Sequence, residues 1–193
     1  GVAQISYQLK SEIRAYEYML QQFQENGNLE MAQKLREAPV TVKDGTPDAY
    51  LALRDKGMHS LGIGTTHDMH SHITGIFLPS LFHREYTLLE KVNMWRGKFH
   101  AGVSLLWDEI LSTDLNKQVL ELNLPTYFFH GIYDFTVSYT EADSYFKKLK
   151  APMKGFYTFE QSAHSPIFEE PEKTLKILQE DVLAGRNSLA DAI

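Results

Sequence analysis

The sequence predicts an α/β protein in which a long helical region precedes a small parallel α/β unit. Apolar residues recur at three- and four-residue spacing through most of residues 1–120, which is typical of helices with one buried face. From residue 121 the pattern changes, and short aromatic runs at residues 126–129 and 155–159 alternate with helical patterns. We therefore divide the chain into a helical region over residues 1–120 and an α/β unit over residues 121–193.

The sequence pattern in the first half of the helical region predicts three helices. The first ends at Asn26-Gly27-Asn28 and has an apolar stripe of Leu9, Ile13, Tyr16, Leu20 and Phe23. A short second helix turns Leu29, Ala32 and Leu35 to one face. Thr46 is predicted to cap a third helix that has Pro47 at its first position and Gly57 at its end.

The second half begins with an irregular segment, residues 60–72, that we predict to be a loop. Thr87 and Glu90 form a capping box for a helix that runs through Trp95 and ends at Gly97. A further helix follows, with an apolar face made of Phe99, Val103, Leu106 and Ile110.

The α/β unit is predicted as strand, helix, strand and helix. Ser138 and Glu141 form a second capping box before its first helix, and Pro171 begins its second, with Leu175, Leu178 and Val182 facing inward. Two strands do not make a stable parallel sheet with both faces covered. We therefore expect the unit to be the edge of a larger sheet.

Composition excludes several classes of function. The net charge of −6, without a basic stripe, argues against nucleic acid as a partner. The absence of cysteine removes disulfides, thiolate catalysis and cysteine-bound metal, and fits a cytoplasmic location. The longest apolar run, residues 73–82, is too short to span a membrane. The histidines of residues 67–72 fit neither the helical zinc motif with two histidines four residues apart nor the His-x-His-x-Asp-His order of dinuclear hydrolases, so we predict no metal and no other cofactor.

The two predicted strands each lead into a loop that carries a titratable residue. Asp134 follows the first strand and His164 follows the second, thirty residues later. Taken singly, Asp134 could be a turn aspartate and His164 a solvated loop histidine. Because the carboxyl ends of neighbouring parallel strands open on one crevice, we expect the two loops to face the same place.

The sequence around these residues resembles that of a known family. The runs His130-Gly131-Ile132-Tyr133-Asp134, Ser162-Ala163-His164-Ser165-Pro166 and Glu169-Glu170-Pro171-Glu172 are similar to those of prolyl-aminopeptidase-like α/β-hydrolase-fold serine hydrolases. The resemblance implies the C-terminal portion of that fold, an edge of a parallel sheet with flanking helices, and a mostly helical lid over residues 1–120. It further implies that Asp134 is the triad acid and His164 the general base.

The nucleophile of such a triad is missing. No Gly-x-Ser-x-Gly occurs in the 193 residues. In this fold the nucleophile lies before the lid in the chain. We therefore expect a fragment of a serine hydrolase that cleaves an ester or amide bond. An aminopeptidase that acts on N-terminal residues is one such hydrolase. Its partners would be a small-molecule or peptide substrate under the lid and the missing N-terminal half, and its exposed faces would favour self-association. The alternative is a non-catalytic helical interaction module with a small α/β appendage.

Overall fold

The computed structural model describes residues 8–43, 45–101 and 113–193. In the helical region, α1 spans Gln8–Glu25, α2 Leu29–Glu37 and α3 Asp48–Ser60. A π-helical turn at Ile73–Phe77 leads into α4, Leu78–Phe82, and α5 spans Leu88–Ala101. The remaining elements are α6 (Leu115–Gln118), β1 (Thr126–Gly131), α7 (Tyr139–Lys148), β2 (Lys154–Phe159), α8 (Pro166–Glu169), α9 (Pro171–Ile177) and a second π-helical turn, Leu178–Val182.

The core of the helical region lies between α1, α2 and α3. The most buried face of α1 contains Ala15, Met19 and Phe23, and the other residues of the predicted stripe lie beside it, only partly buried. On α2, Ala32 and Leu35 are buried, but Leu29 is exposed. The predicted stripe of α1 is thus displaced by about one residue, since Ala15 and Met19 are fully buried and the neighbouring Tyr16 and Leu20 are not.

Two predictions about α3 are wrong in detail. Pro47 itself is the N-cap, so Thr46 lies one residue before the cap, and the helix continues past Gly57 to Ser60. Gly57 is buried inside the helix, and a Cβ atom there would meet Sδ of Met19 at 2.8 Å. This glycine therefore allows α3 to pack closely against α1 and does not end the helix.

The capping box at the start of α5 is present. The Thr87 backbone N–H donates to the Glu90 carboxylate at 2.8 Å, and the Glu90 N–H donates back to the Thr87 hydroxyl at 3.3 Å. The predicted end at Gly97 is wrong, since α5 continues to Ala101. Most of the helix predicted next, including Val103, Leu106 and Ile110, lies outside the described residues.

The two strands pair in parallel, as predicted, with Thr126 opposite Lys154 and Gly131 opposite Phe159. Mixed helices and a small parallel sheet agree with the predicted α/β class. Alternate peptide groups of β1 bond to β2, so those of Tyr127 and Phe129 point to the opposite edge. No strand among the described residues pairs with that edge of β1.

The outer edge of β2 is covered by the last residues of the chain. The Phe156 N–H donates to the carbonyl of Ala192 at 2.9 Å, and the Asp191 N–H donates to the carbonyl of Phe156 at the same distance. The Asp191 carboxylate also accepts the Thr158 N–H at 2.7 Å. The two edges of this small sheet therefore differ, with one covered and one open.

The helices beside the sheet correct two further predictions. Ser138 is the N-cap of α7, but its N–H donates to the Ser11 hydroxyl of α1, and Glu141 pairs with Arg14 instead of closing a capping box. Pro171 begins α9 as predicted. The buried positions there are Thr174, Ile177 and Asp181, whereas Leu175 and Leu178 are exposed.

No described helix combines the length and the apolar character that crossing a membrane requires.

Candidate active site

Asp134 lies in the loop between β1 and α7 and is almost fully buried. Its carboxylate oxygens have different partners. Oδ1 accepts the backbone N–H of Val137 at 3.0 Å, which is what a turn aspartate does. Oδ2 accepts the Nδ1–H of His164 at 2.9 Å. The turn contact therefore fixes the carboxylate while leaving the second oxygen for the histidine.

His164 lies in the loop after β2 and leaves 19% of its side chain exposed. Because Nδ1 donates to a carboxylate, a neutral ring carries its lone pair on Nε2. Nε2 makes no hydrogen bond to any described residue. The structure thus brings together the two residues that the sequence singled out, with the basic nitrogen turned away from the acid.

The approach of the two loops depends on Gly131, the last residue of β1. A Cβ atom there would collide with the backbone carbonyl oxygens of Ser162 and Ala163. The Tyr133 N–H donates to that same Ser162 carbonyl at 3.1 Å. Glycine at this position therefore lets the histidine loop lie directly against the acid loop.

His130 is a third titratable residue beside the pair, and sequence reasoning missed it. Its Nε2–H donates to the carbonyl of Val137 at 2.8 Å. The same Nε2 atom lies 3.4 Å from Oδ2 of Asp134. Burial lowers the pKa of His130, and the nearby Asp134 carboxylate offsets part of this effect. His130 is therefore a neutral donor to the acid loop. The available signal was its place at the carboxyl end of β1, four residues before Asp134.

Two carboxylates hold the histidine loop from its other side. Glu169 accepts the backbone N–H groups of Ala163 at 3.0 Å and of Ser165 at 3.2 Å. Glu170 accepts the Gln161 N–H at 2.9 Å and the Ser162 hydroxyl at 2.7 Å. Both belong to the Glu-Glu-Pro-Glu run on which the family resemblance partly depends. Its spacing from His164 gave no sign that these side chains fold back onto the loop.

A cavity of about 430 Å³ opens next to the acid and histidine loops. Tyr133 and Glu169, which adjoin the acid and histidine loops, belong to its lining, but Asp134 and His164 do not. The His67 ring stacks on the Tyr133 ring at a centroid distance of 3.8 Å and a plane angle of 10°. The remaining lining residues are Thr66, Asp68, Glu160, Gln161 and Phe168.

The histidine-rich segment does not form a metal centre in the described part of the chain. His72 Nε2 lies 2.9 Å and 3.2 Å from the two ring nitrogens of His59, and the ring planes are 78° apart. Such a nitrogen lies over the face of the His59 ring, whereas a shared metal would lie in the ring plane along the nitrogen lone pair. The His59 Nδ1–H donates to the carbonyl of Asp55 at 2.6 Å.

Comparison with known proteins gives short matches. No family model matches the chain. Over 66 residues, 34% of this chain, it is 32% identical to a Mycoplasma genitalium protein named as an esterase/lipase. Over the same length it is 35% identical to a Bacillus subtilis protein, YbaC, named as an aminopeptidase. These matches span 25% and 21% of the two relatives, so the chain corresponds to about a quarter of their length.

Among solved structures, an esterase from Exiguobacterium antarcticum matches with a TM-score of 0.39 and 16% identity, over 65% of this chain and 41% of that one. The names of the relatives share one property, since esterases, lipases and aminopeptidases are all hydrolases. A likeness to hydrolases is therefore what the comparisons establish, in agreement with the coarser part of the predicted resemblance.

Proposed function

We propose that Asp134 and His164 are the acid and the general base of a hydrolase that cleaves an ester or amide bond through a serine outside this sequence. One observation carries the proposal. Nδ1 of His164 donates to the buried Asp134 carboxylate at 2.9 Å, and Nε2 has no partner among the described residues. This is the arrangement that a general base needs, because the acid fixes the tautomer and leaves Nε2 able to accept a proton.

The chemical sequence follows from that geometry. Nε2 of His164 takes the proton of the serine hydroxyl as the serine oxygen attacks the substrate carbonyl. The resulting imidazolium, stabilised by Asp134, returns the proton to the leaving alcohol or amine as the bond to it breaks. Water then attacks the acyl-serine with His164 again as base, which releases the acid product and the free serine.

The edges of the sheet support a missing portion on one side. The outer edge of β2 is covered by Ala192, whereas the outer peptide groups of β1 at Tyr127 and Phe129 have no partner strand among the described residues. If a further parallel strand paired with β1, its carboxyl end would lie at the same end of the sheet as the loop of Asp134. A serine in the turn after such a strand would lie on the same side of the sheet as His164.

Residues 1–120 serve, in this proposal, as the lid over the substrate. The acid loop packs on this region, since Tyr133 and Phe135 contact its core. Large apolar side chains of residues 73–94 are exposed, Phe82 and Leu88 most strongly. We propose that they face the substrate and the missing N-terminal half. The esterase/lipase and aminopeptidase names of the two relatives support both ester and amide substrates.

The test uses a longer reading frame that contains residues 1–193 together with an upstream Gly-x-Ser-x-Gly. A fluorophosphonate probe should label its serine. Asp134→Asn and His164→Gln should each lower kcat/KM by about 10³- to 10⁴-fold. Asp143→Asn is the matched control, because among the described residues the Asp143 side chain pairs with Lys147 of the same helix and has no contact with the acid or histidine loop. An unlabelled protein, or equal turnover in Asp134→Asn and Asp143→Asn, would refute the proposal.

The non-catalytic interaction module remains the second candidate, and the exposed apolar side chains of residues 73–94 favour it. The same probe separates the two functions. A binding module would have no serine that reacts with fluorophosphonate in any longer reading frame, and its partner would bind equally well to the Asp134→Asn variant.

A further inference from the structure

A short segment of the helical region, residues 62–67, lies across both loops of the candidate site. We call it the strap. The Phe135 N–H from the acid loop donates to the carbonyl of Ile63 at 3.4 Å, and the His164 N–H from the histidine loop donates to the carbonyl of Gly64 at 3.3 Å. Two adjacent carbonyls of one segment therefore contact the two loops that carry the proposed acid and base.

The strap has a defined shape because both of its glycines are crowded. Gly62 has a φ of +67°, and the His67 Nδ1–H donates to its carbonyl at 2.8 Å, which closes a tight turn. A Cβ atom on Gly64 would meet the ring of His59 at 2.9 Å. Nε2 of that buried ring accepts the Thr65 N–H at 3.4 Å. The carbonyl that receives the His164 N–H is thus held from below by α3.

The far end of the strap is joined to the histidine loop by one side chain. The Glu169 carboxylate accepts the backbone N–H of His67, the last residue of the strap, and also those of Ala163 and Ser165. Ala163 and Ser165 are the residues directly before and after His164 in the chain. Hydrogen bonds to a carboxylate are about twice as strong as those between neutral groups, so Glu169 is a firm link between the two segments.

We propose that Glu169 is a positioning residue, which fixes the direction of the His164 imidazole by joining the histidine loop to the strap. This inference rests on the proposed function, because the direction of Nε2 matters to a reaction only if His164 acts as its general base. A misplacement of about 1 Å in a catalytic group lowers rates by about 10²-fold. Through Glu169 and the strap, the helical region takes part in holding the histidine as well as covering a substrate.

The first experiment measures backbone hydrogen exchange in the 193-residue chain and needs no activity. Glu169→Gln keeps the shape of the side chain but turns an NH₂ group toward backbone donors. Exchange should accelerate at least about tenfold at the amides of His164 and Phe135, neither of which contacts Glu169 directly. Glu172→Gln, the same change at an exposed position of α9, is the control and should leave both amides unchanged.

Exchange that accelerates only at His67, Ala163 and Ser165 would overturn the proposal, because the effect would then stop at the atoms that lost their acceptor. Glu169→Asp provides a second variant if Glu169→Gln does not fold. Its shorter carboxylate keeps the charge but does not reach all three donors, and an exchange rate at His164 equal to that of Glu172→Asp would likewise overturn the proposal.

The second experiment uses the longer, active protein and separates failure of this inference from failure of the proposed function. Glu169→Gln should lower kcat by about 10²-fold with little change in KM, and Glu169→Asp should recover part of that loss. If Asp134→Asn has no effect on turnover, the proposed function is wrong, and the exchange result still decides the role of the strap. If Asp134→Asn inactivates but Glu169→Gln matches Glu172→Gln, only the positioning role is wrong.

Discussion

Nδ1 of His164 lies 2.9 Å from Oδ2 of Asp134, although thirty residues separate the two in the chain. Each residue follows the end of a strand, and the two strands are adjacent and parallel. The intervening residues are consumed by α7 and β2, which return the chain to the same end of the sheet. The contact is therefore a product of topology, completed by the close approach of the two loops at Gly131.

Replacing that glycine should separate the loops. In Gly131→Ala the new methyl group would collide with the carbonyl oxygens of Ser162 and Ala163, and the backbone cannot move without breaking the bond from Tyr133 to Ser162. We expect the free energy of unfolding, measured by urea denaturation, to fall by about 1–3 kcal/mol.

Gly97→Ala is the matched control, because a Cβ atom at this position within α5 meets no atom within 4 Å. That variant should gain up to about 1 kcal/mol from improved helix propensity. Equal stability of the two variants would show that the loops do not need to approach as closely as they do here.

A buried ion pair in the helical region should be sensitive to the loss of one partner. Arg54 donates to Glu12 from Nε at 2.6 Å and from a terminal nitrogen at 2.8 Å, and the Tyr50 hydroxyl donates to the same carboxylate at 3.1 Å. Arg54→Met leaves the carboxylate buried without its cation, so we expect a loss of about 3–5 kcal/mol in thermal or urea unfolding.

Adding Glu12→Gln to Arg54→Met should recover most of that loss, since the buried charge is then gone. Arg14 lies on α1, as Glu12 does, and is an exposed partner of Glu141 on α7. Arg14→Met should therefore lower the free energy of unfolding by less than about 1 kcal/mol. A loss for Arg54→Met no larger than for Arg14→Met would contradict this account of the pair.

Stability should decrease as the pH falls below neutrality. Burial lowers the pKa of both His59 and His130 below the ordinary value of 6.5. The unfolded chain therefore binds protons at a higher pH than the folded one. The contribution of these two histidines to the free energy of unfolding is complete above pH 6.5, and it is lost as the pH falls through their pKa values in the folded chain. We expect the free energy of unfolding to decline from about pH 6.5 downward, by up to about 1.4 kcal/mol per pH unit for each histidine.

His59→Gln and His130→Gln should each reduce the steepness of that decline, and their stabilities at pH 8 serve as the reference for any structural cost of the substitution. The same slope in the parent chain and in both variants would mean that other groups cause the acid sensitivity.

The cover on the outer edge of β2 should depend on Asp181. This buried carboxylate accepts the Tyr157 hydroxyl at 2.8 Å and the N–H groups of Ser188 and Leu189 at 3.0 and 2.7 Å. Burial acts to raise its pKa, but these hydrogen bonds outweigh burial and lower it. Asp181→Ala leaves three donors without their acceptor, and we expect a loss of about 3 kcal/mol.

Hydrogen exchange should show where that loss is felt. In Asp181→Ala the amides of Phe156 and Asp191, which pair the last residues of the chain with β2, should lose protection before those that join β1 to β2. The neighbouring exposed Glu180→Ala should change stability by no more than about 0.5 kcal/mol. Uniform loss of protection over the sheet would contradict a local role for Asp181.

Local patterns predicted the elements well where neighbours in the sequence supply the partners. The Thr87–Glu90 capping box depends on residues three apart, and Pro171 begins α9 because proline favours the first turn of a helix. Predictions failed where a distant segment took the same groups. Glu141 pairs with Arg14 of α1, and the Ser138 N–H is taken by Ser11, so the second predicted capping box does not form.

Glycine gave the least transferable signal, because its role depends on what lies opposite it. Gly57 is as suitable for ending a helix as any glycine, but it lies within α3, at a place where Met19 leaves no room for a side chain. Gly131 gave no sign in the sequence that two carbonyl oxygens of another loop lie against it.

The sequence by itself determined the two strands, the loops that follow them, and the choice of Asp134 and His164, because strand ends and titratable residues are visible in short windows. Only the tertiary structure decided that the two side chains meet, that His130 and Glu169 support them, and that residues 62–67 cross both loops. These relationships join residues tens of positions apart, and their energies come from close packing and backbone hydrogen bonds, which no local pattern encodes.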